Sequence, residues 1–583
     1  MQNYTPLNVH THLSFLQSLA KPKQLATQFA NYGIKSAVIS DFDLLSGCVE
    51  FFEECKNVGI KPLLGMKMYV AGRGYVTLIS KNKNGWKELM NLSSMSFDKE
   101  HHDDDKPTIT LDELFNTKEI LVLSGAKNTY LNDINVAYLE ELKANLKDRY
   151  FYQVEMLKTS ETPDNEISVC NRFGVKCVAA PRVLYVNKED YVDNALLLAS
   201  HLSTTQKELK KKVIGTQYEE VLENDFSLKR YDEITYQYSE ELLQNSNLVS
   251  DMCEEYTILS KPQLPIFPVP EGHDDISYLR ELCRDGWKKK IVNKIDSERT
   301  QEYVDRVKHE LDVISGANLS SYFLIVQDFV NYMKNRGRLI GPGRGSAAGC
   351  LVSHLINITN CDPIRYGLIF ERFYNAGRNT KDKVALPDID VDFPVRYRHE
   401  VLDYIRAKYG TEHVAQVVTF SRLQGRGAFK EVVRIHGACN HYEADNISSN
   451  IPQEGQISDK LEEEDETSIL RWTLNNEPKA LEQWCTLKDG VYSGDYAQYF
   501  EQAVRIEGTY KSFGKHASAL VVSGARLSDI VPMMREKSGD ELMVSFEYEK
   551  AEKAGAPKFD ILGVNCLDKL MDINSLLRYG EIR

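Results

Sequence analysis

Asp388, Asp390 and Asp392 alternate with apolar residues in the run Pro387-Asp388-Ile389-Asp390-Val391-Asp392-Phe393. Side chains at i and i+2 of an extended strand leave the same face, so the three carboxylates stack along one edge. Charges held that close repel, and a hydrophobic core gains nothing from them. A hard divalent cation relieves the repulsion. Carboxylate oxygens suit Mg²⁺, which keeps waters and takes phosphate oxygens as further ligands. The same pattern also describes an exposed strand with a solvated acidic face. A second run, Gly341 to Gly349 (GPGRGSAAG), reads as a glycine turn after Leu339-Ile340 that opens a helix over Ala347 to Ile356. Glycines let backbone N–H groups approach a phosphate, and a helix N-terminus adds partial positive charge. Ser346 could serve as N-cap or phosphate ligand. No Lys-Ser/Thr pair follows the last glycine, so this is not a Walker loop. A ligand-free strand-to-helix turn would use the same residues. Taken together, the two runs describe a nucleotidyl-transfer site, one element holding a triphosphate and the other two metals.

The elements that must position these residues belong to a chain of 583 residues, long enough for three or four domains. Hydrophobic residues make up 42% and charged residues 27%, an ordinary balance for a globular protein. No apolar run reaches the roughly 18 residues of a membrane span, and Met1 to Ala20 lacks the apolar centre of a signal peptide. Eleven scattered cysteines without a CxxC pair point to reduced thiols and a cytoplasmic protein, with no zinc ribbon. The net charge of −14 is unevenly spread: residues 321–437 hold 17 basic and 11 acidic residues, a net of +6, against −20 elsewhere. A positive field around a focused carboxylate cluster suits a polyanion-handling site.

Residues 1 to about 260 alternate short β-rich runs with helical spacing. Ser36–Ser40, Lys61–Val70, Tyr75–Ile79, Ile120–Leu123, Tyr150–Val154 and Val175–Ala179 read as strands, with a helix over Gly47–Val58. KEHHDDDK at 99–106 reads as a solvated loop. Pro262, Pro265, Pro268 and Pro270 mark a linker, and Asp275 to Gly316 is helical. Residues 438–505 read as a small helical domain, and Ala519–Val522 and Lys558–Leu562 return to strand character.

The run from Ser321-Tyr322-Phe323 through GPGRGSAAG, Phe370-Glu371-Arg372-Phe373 and PDIDVDF resembles the palm of bacterial C-family replicative DNA polymerases. Gln416-Val417-Val418-Thr419-Phe420, Gly514-Lys515-His516-Ala517 and Lys558-Phe559-Asp560-Ile561-Leu562-Gly563 extend the resemblance in order. It implies a multidomain α/β chain with an N-terminal PHP-type distorted β/α barrel (1–260) and a linker (261–274). A polymerase-β-like nucleotidyltransferase palm (275–437 and 506–583) follows, with a mainly helical thumb inserted at 438–505. By the same resemblance Asp390, Asp392 and Asp560 are the catalytic metal ligands for two Mg²⁺, with Mn²⁺ a substitute, and Asp388 supports them. Gly345 and Ser346 cradle the triphosphate, and Arg344, Arg372, Arg378 and Lys558 lie near the incoming nucleotide. Lys515, His516, Arg422 and Arg426 are expected to meet DNA. The implied reaction is template-directed transfer of dNMP from dNTPs to a primer 3′-OH.

In the PHP-like region His10-Thr11-His12 keeps the opening HxH, and Asp41 stands in a second motif. Phe42, Lys67 and Pro181-Arg182-Val183-Leu184 replace expected ligands. Lys and Arg repel the cations whose ligands they replace, so this site is expected to be degenerate. The chain stops 23 residues after Asp560, where family members continue into fingers. The expectation is a split polymerase with its fingers on a second chain, through which a sliding clamp would be met, or an unusually compact polymerase, or a truncated chain. The alternatives are a catalytically idle assembly subunit and, behind it, a PHP phosphoesterase or exonuclease.

Overall fold

A computed structural model describes all residues except 1–2, 104–105, 126–134, 158–162, 217, 376, 378–385, 537–540, 580–581 and 583. The chain divides into two compact units, Met1–Thr257 with Phe420–Gly514, and Ile258–Thr419 with Lys515–Arg583.

The first unit is built on one curled sheet. Its strands run in the order Arg182–Val183, Asn8–Val9, Ser36–Ile39, Lys61–Val70, Gly74–Ser80, Ile120–Ser124, Tyr150–Val154, Lys176–Ala179. Along this path only Gly74–Ser80 runs against its neighbours. Ser36–Ile39 and Ile120–Ser124 are buried at every position, as parallel strands covered on both faces must be. Only Ala180 and Pro181 separate the strands at the two ends of the sheet. The three Cα–Cα steps from Ala179 to Arg182 reach no more than about 11 Å, so the two edges come near each other and the sheet curls toward a barrel. The Asn8 side-chain amide, donating to the Ala180 carbonyl at 3.5 Å, crosses that seam. The stretch expected as a solvated loop at 99–106 instead forms a 3₁₀ turn (Lys99–His101) and a short ribbon, His102–Asp103 with Lys106–Ile109. His101 is tied to Glu113 at 2.7 Å, and residues 104 and 105 lie outside the described ones.

Residues 420–514 form a second core in the same unit, mainly helical with one hairpin, Thr486–Lys488 and Val491–Ser493. Phe429, Val432, Leu470, Trp472 and Phe500 pack there with Leu196 and Leu197 of the helix Tyr191–His201. Asp193 on that helix accepts from Gln502 at 2.8 Å and Arg505 at 2.5 Å, so the segment expected as a thumb is anchored by a buried charge.

The second unit centres on a six-stranded sheet. Its order is Val391–Phe393, Lys558–Gly563, Tyr510–Val522, Val414–Arg422, Leu542–Val544, Met533–Arg535. Phe323 and Phe329 of the helix Ser320–Asn335 pack with Phe393, Phe559 and Ile561 from the sheet. The proline-marked stretch carries no helix or strand but is strapped down. Ser260 N–H donates to Lys553 O and Gln263 N–H to Gly555 O, both at 2.9 Å, and Phe267 is buried. Proline removes donors without preventing the remaining amides from docking. No single helix among the described residues is long and apolar enough to cross a membrane.

The helix Asp275–Lys290 approaches the short helix Leu351–Leu355 closely because Gly286 has no side chain: an added Cβ would sit 2.0 Å from the Leu355 carbonyl oxygen. Gly286→Ala forces the helices apart and is expected to cost about 2–4 kcal/mol, read as a lower urea midpoint.

Candidate active site

The parallel pairing of Val391–Phe393 with Lys558–Gly563 builds the site. Its register is Val391 to Ile561, Asp392 to Leu562 and Phe393 to Gly563, so Asp390 lies alongside Asp560. Neighbouring strands are about 4.8 Å apart, and paired residues in parallel strands share a face. The ladder is shorter than the sequence implies, starting at Val391 rather than Asp388. Alternation nevertheless persists upstream. Ile389, Val391 and Phe393 are buried, Asp390 and Asp392 half-buried, and Asp388 exposed. Ala519 opposite Asp560 on the antiparallel neighbour leaves that face uncrowded.

The glycine loop abuts this face. Gly341 N–H donates to the Asp392 carbonyl at 2.9 Å, and a Cβ on Gly341 would come 2.8 Å from Asp392 Cβ. Gly345, in the left-handed region at φ +55, would place a Cβ 3.3 Å from Asp390 Oδ2. Glycine is required at both positions, at one for room and at the other for backbone conformation. The expected long helix after the loop is instead a 3₁₀ turn, Gly345–Gly349, and five α-helical residues, Leu351–Leu355. Gly345 and Ser346 are exposed, while Ala347 is buried and pins the turn.

What holds the loop is a pair that sequence reasoning passed over. Glu310, fully buried on the helix Thr300–Gly316, accepts from Leu351 N–H at 3.0 Å and Val352 N–H at 2.8 Å. Arg306 donates to Glu310 at 2.6 Å, to the Gly349 carbonyl at 2.7 Å and to the Leu368 carbonyl at 3.2 Å. The i,i+4 spacing was visible, but such pairs usually sit on a solvated helix face.

Cations of the chain occupy the carboxylates. Lys558 Nζ lies 2.9 Å from Asp560 Oδ2, 3.4 Å from Asp388 Oδ1 and 4.3 Å from the Tyr548 ring centre. Burial opposes its charge, but the two carboxylates outweigh burial and push its pKa up to about 12. Arg344, half-exposed, reaches Asp392 Oδ1 at 3.2 Å. Asp390 is held above the usual carboxylate range, by burial first and then by the charges of Asp560 and Asp388. Among the described residues no three His, Cys, Asp or Glu side chains form a ready metal cage. The donor set still fits a hard divalent ion, since three carboxylates share a face and two are engaged only by flexible side chains.

The remaining expected residues scatter. Arg372 is exposed between buried Phe370 and Phe373, and Arg378 lies outside the described residues. Lys515 pairs with Glu541 at 3.3 Å. His516 Nδ1 accepts from Ala519 N–H at 2.9 Å, and burial lowers its pKa. In the first unit, the Arg422 guanidinium lies 4.9 Å from the Tyr510 ring centre, and Arg426 donates to the Ile451 and Ser449 carbonyls at 2.6 and 3.2 Å. Also there, Asp41 accepts from Thr11 N–H, Thr11 Oγ1 and Ser14 Oγ at 2.5, 2.6 and 2.7 Å, and burial pushes it up to about 6. His10 stacks on Phe42 at 4.5 Å with its Nε2 on Asn8 at 2.9 Å, and His12 meets the Tyr510 ring edge-on.

Residues 277–563 match the family model of the bacterial DNA polymerase III alpha NTPase domain, and residues 6–157 that of the PHP domain. The DNA polymerase III subunit alpha of Pseudomonas aeruginosa is 30% identical over 97% of this chain and 48% of its own length. That of Aquifex aeolicus is 28% identical over 99% and 52%, and that of Bacillus subtilis 29% over 99% and 50%. A PHP barrel, a carboxylate face and a glycine loop thus define a polymerase-type chain. It belongs to the C-family of bacterial polymerases typified by the DNA polymerase III alpha subunit. It spans about half the length of the curated relatives it matches.

Because the Asp390 carboxyl is raised in the fold, the unfolded chain loses that proton at lower pH than the folded one. Stability therefore falls as pH rises above the ordinary Asp value of about 3.9 and stays lowered beyond the folded value. Asp390→Asn is expected to raise the metal-free urea midpoint at pH 8, with the gain closing as pH falls below that window. Glu310→Ala strands a partly buried Arg306 and should cost about 3–5 kcal/mol.

Proposed function

We propose that this chain catalyses template-directed DNA synthesis, transferring dNMP from a dNTP to a primer 3′-OH. The observation that carries this reading is the glycine loop seated against the face shared by Asp390, Asp392 and Asp560. The similarity to DNA polymerase III alpha subunits supports it. On this reading residues 275–437 and 506–583 form a polymerase-β-like palm and 438–505 a thumb.

Asp390, Asp392 and Asp560 would hold two Mg²⁺, or Mn²⁺, which supply the charge that activates the primer hydroxyl and stabilises departing pyrophosphate. Gly345 and Ser346 present backbone N–H groups and a hydroxyl to the triphosphate. Glycine at 341 and 345 keeps that backbone close to the carboxylates. Arg344 and Lys558 leave their carboxylates for phosphate oxygens when the triphosphate enters, and Arg372 and Arg378 are the proposed further guanidinium forks for the nucleotide. Tyr548 under Lys558 keeps its ammonium near the site during that exchange. Lys515 and His516 lie downstream on the same sheet, where primer-template would run, and Arg422 and Arg426 are the proposed thumb-side contacts.

The test is primer extension with dNTPs, Mg²⁺ and any partner chain that carries fingers or a clamp-binding element. Asp390→Ala should lower extension by at least about 10³-fold; unchanged extension removes the proposal. Mg²⁺ should raise the melting temperature of the wild-type chain and not of Asp392→Ala. A melting temperature indifferent to Mg²⁺ in both, without extension, favours an idle assembly subunit.

A further inference from the structure

The mouth of the PHP barrel holds a second set of charges that the polymerase reading leaves unused. In parallel sheets, ligands meet the residues that follow the strands at their C-terminal ends. His10 follows the strand Asn8–Val9, Asp41 and Phe42 follow Ser36–Ile39, and Glu155 follows Tyr150–Val154. Lys67, on the long strand Lys61–Val70, is level with this rim because it bridges to Phe42.

Lys67 is only 9% exposed, and its ammonium makes no hydrogen bond or ion pair among the described residues. Its charge lies 5.4 Å from the Phe42 ring centre, the same ring on which His10 stacks. A buried ammonium without an acceptor is costly, and an aromatic face offsets only part of that cost. Arg182 is near enough that its charge, after burial, helps to lower the Lys67 pKa to about 8. Arg182 pairs with Glu155 at 2.8 Å and Glu220 at 3.6 Å, yet its Nε–H is buried without a partner. Glu155 Oε1 is also buried without one. His10 is kept neutral by burial and by the Lys67 and Arg182 charges. The barrel mouth thus leaves Arg182 Nε–H and Glu155 Oε1 buried without partners, with the Lys67 ammonium held only against the Phe42 ring.

That inventory matches a phosphate group that still carries a proton. Its oxygens accept from ammonium and guanidinium, and its P–OH donates to a carboxylate. We propose that the degenerate PHP site is an anion site that binds a protonated phosphate, free or as a nucleotide monoester. Lys67 and Arg182 Nε donate to it and Glu155 Oε1 accepts its proton. The substitutions that expel a metal from this barrel are the ones that admit the anion. Sulfate, which carries no proton near neutral pH, leaves Glu155 facing an acceptor and is rejected.

The test uses the whole chain in EDTA, which keeps divalent metals out of the carboxylate site. It is titrated at about pH 5.5, below the second pKa of about 6 of a phosphate monoester, and at constant ionic strength with sodium phosphate, dAMP or sodium sulfate, while melting temperature and ³¹P line width are followed. Phosphate should raise the melting temperature saturably, and sulfate should bind at least about 10-fold more weakly. Lys67→Met should abolish the phosphate response. Glu155→Gln, whose amide can donate, should bring phosphate and sulfate within about 3-fold of each other. Binding of dAMP as tight as phosphate identifies a monoester pocket, and binding of phosphate alone identifies a free-ion pocket. The proposal is overturned if phosphate gives neither a saturable shift nor line broadening. It is equally overturned if the response survives unchanged in both variants. Should Lys67→Met fail to fold, the phosphate-to-sulfate ratio of Glu155→Gln decides the question.

Discussion

Everything at the carboxylate face follows from one electrostatic constraint: two parallel strands place Asp390 beside Asp560 with Asp392 one step along. Such a pairing opposes folding, and burial makes it worse because the surrounding dielectric falls. The chain answers with its own cations, Lys558 between Asp560 and Asp388, and Arg344 on Asp392. The Arg344 contact is half-exposed, whereas the Lys558–Asp560 pair is short and largely buried, so one cation sits loosely on the face and the other tightly.

The neighbourhood, by contrast, is rigid. Arg398 donates to the Ile561 carbonyl at 2.8 Å and fixes the strand carrying Asp560 from below. Glu310 and Arg306 hold both ends of the backbone around Gly349, Leu351 and Val352. Tyr322, buried, donates to the Pro387 carbonyl at 2.9 Å just upstream of the aspartates. The same division recurs in the barrel, where Asp41 is fully bonded by Thr11 and Ser14 while Lys67 and Arg182 retain unused donors. In the barrel, satisfied polar groups frame a few unsatisfied ones, whereas at the carboxylate face they frame charges that the chain's own cations pair.

The barrel strands were readable because short runs of β-branched and aromatic residues, cut by turns, carry their own signal. The aspartate face was readable from its period-2 alternation, which survives even where the ladder does not. The glycine loop was legible as a close-approach element but not in its ending, because a helix boundary depends on tertiary partners rather than on the glycines. The proline stretch misled in the other direction: composition suggested a free linker, while Gln263 and Phe267 dock it to the unit it leads into. The carbonyls of Ser449 and Ile451 that accept from the Arg426 guanidinium were not legible, because no local spacing brings them to that side chain.

By itself, the sequence determined which side chains could do chemistry and which face each would occupy, since a strand's alternation is a property of the backbone. It also put Lys67 and Arg182 where metal ligands were expected, which is the physical reason for expecting a degenerate site at the barrel mouth. Only the tertiary structure decided which charges meet. Asp390 and Asp560 are 170 positions apart in the chain and become neighbours through strand register. Glu310 became the anchor of the glycine loop because its helix packs with that face buried. Pairings across such separations depend on packing, and no local spacing encodes them.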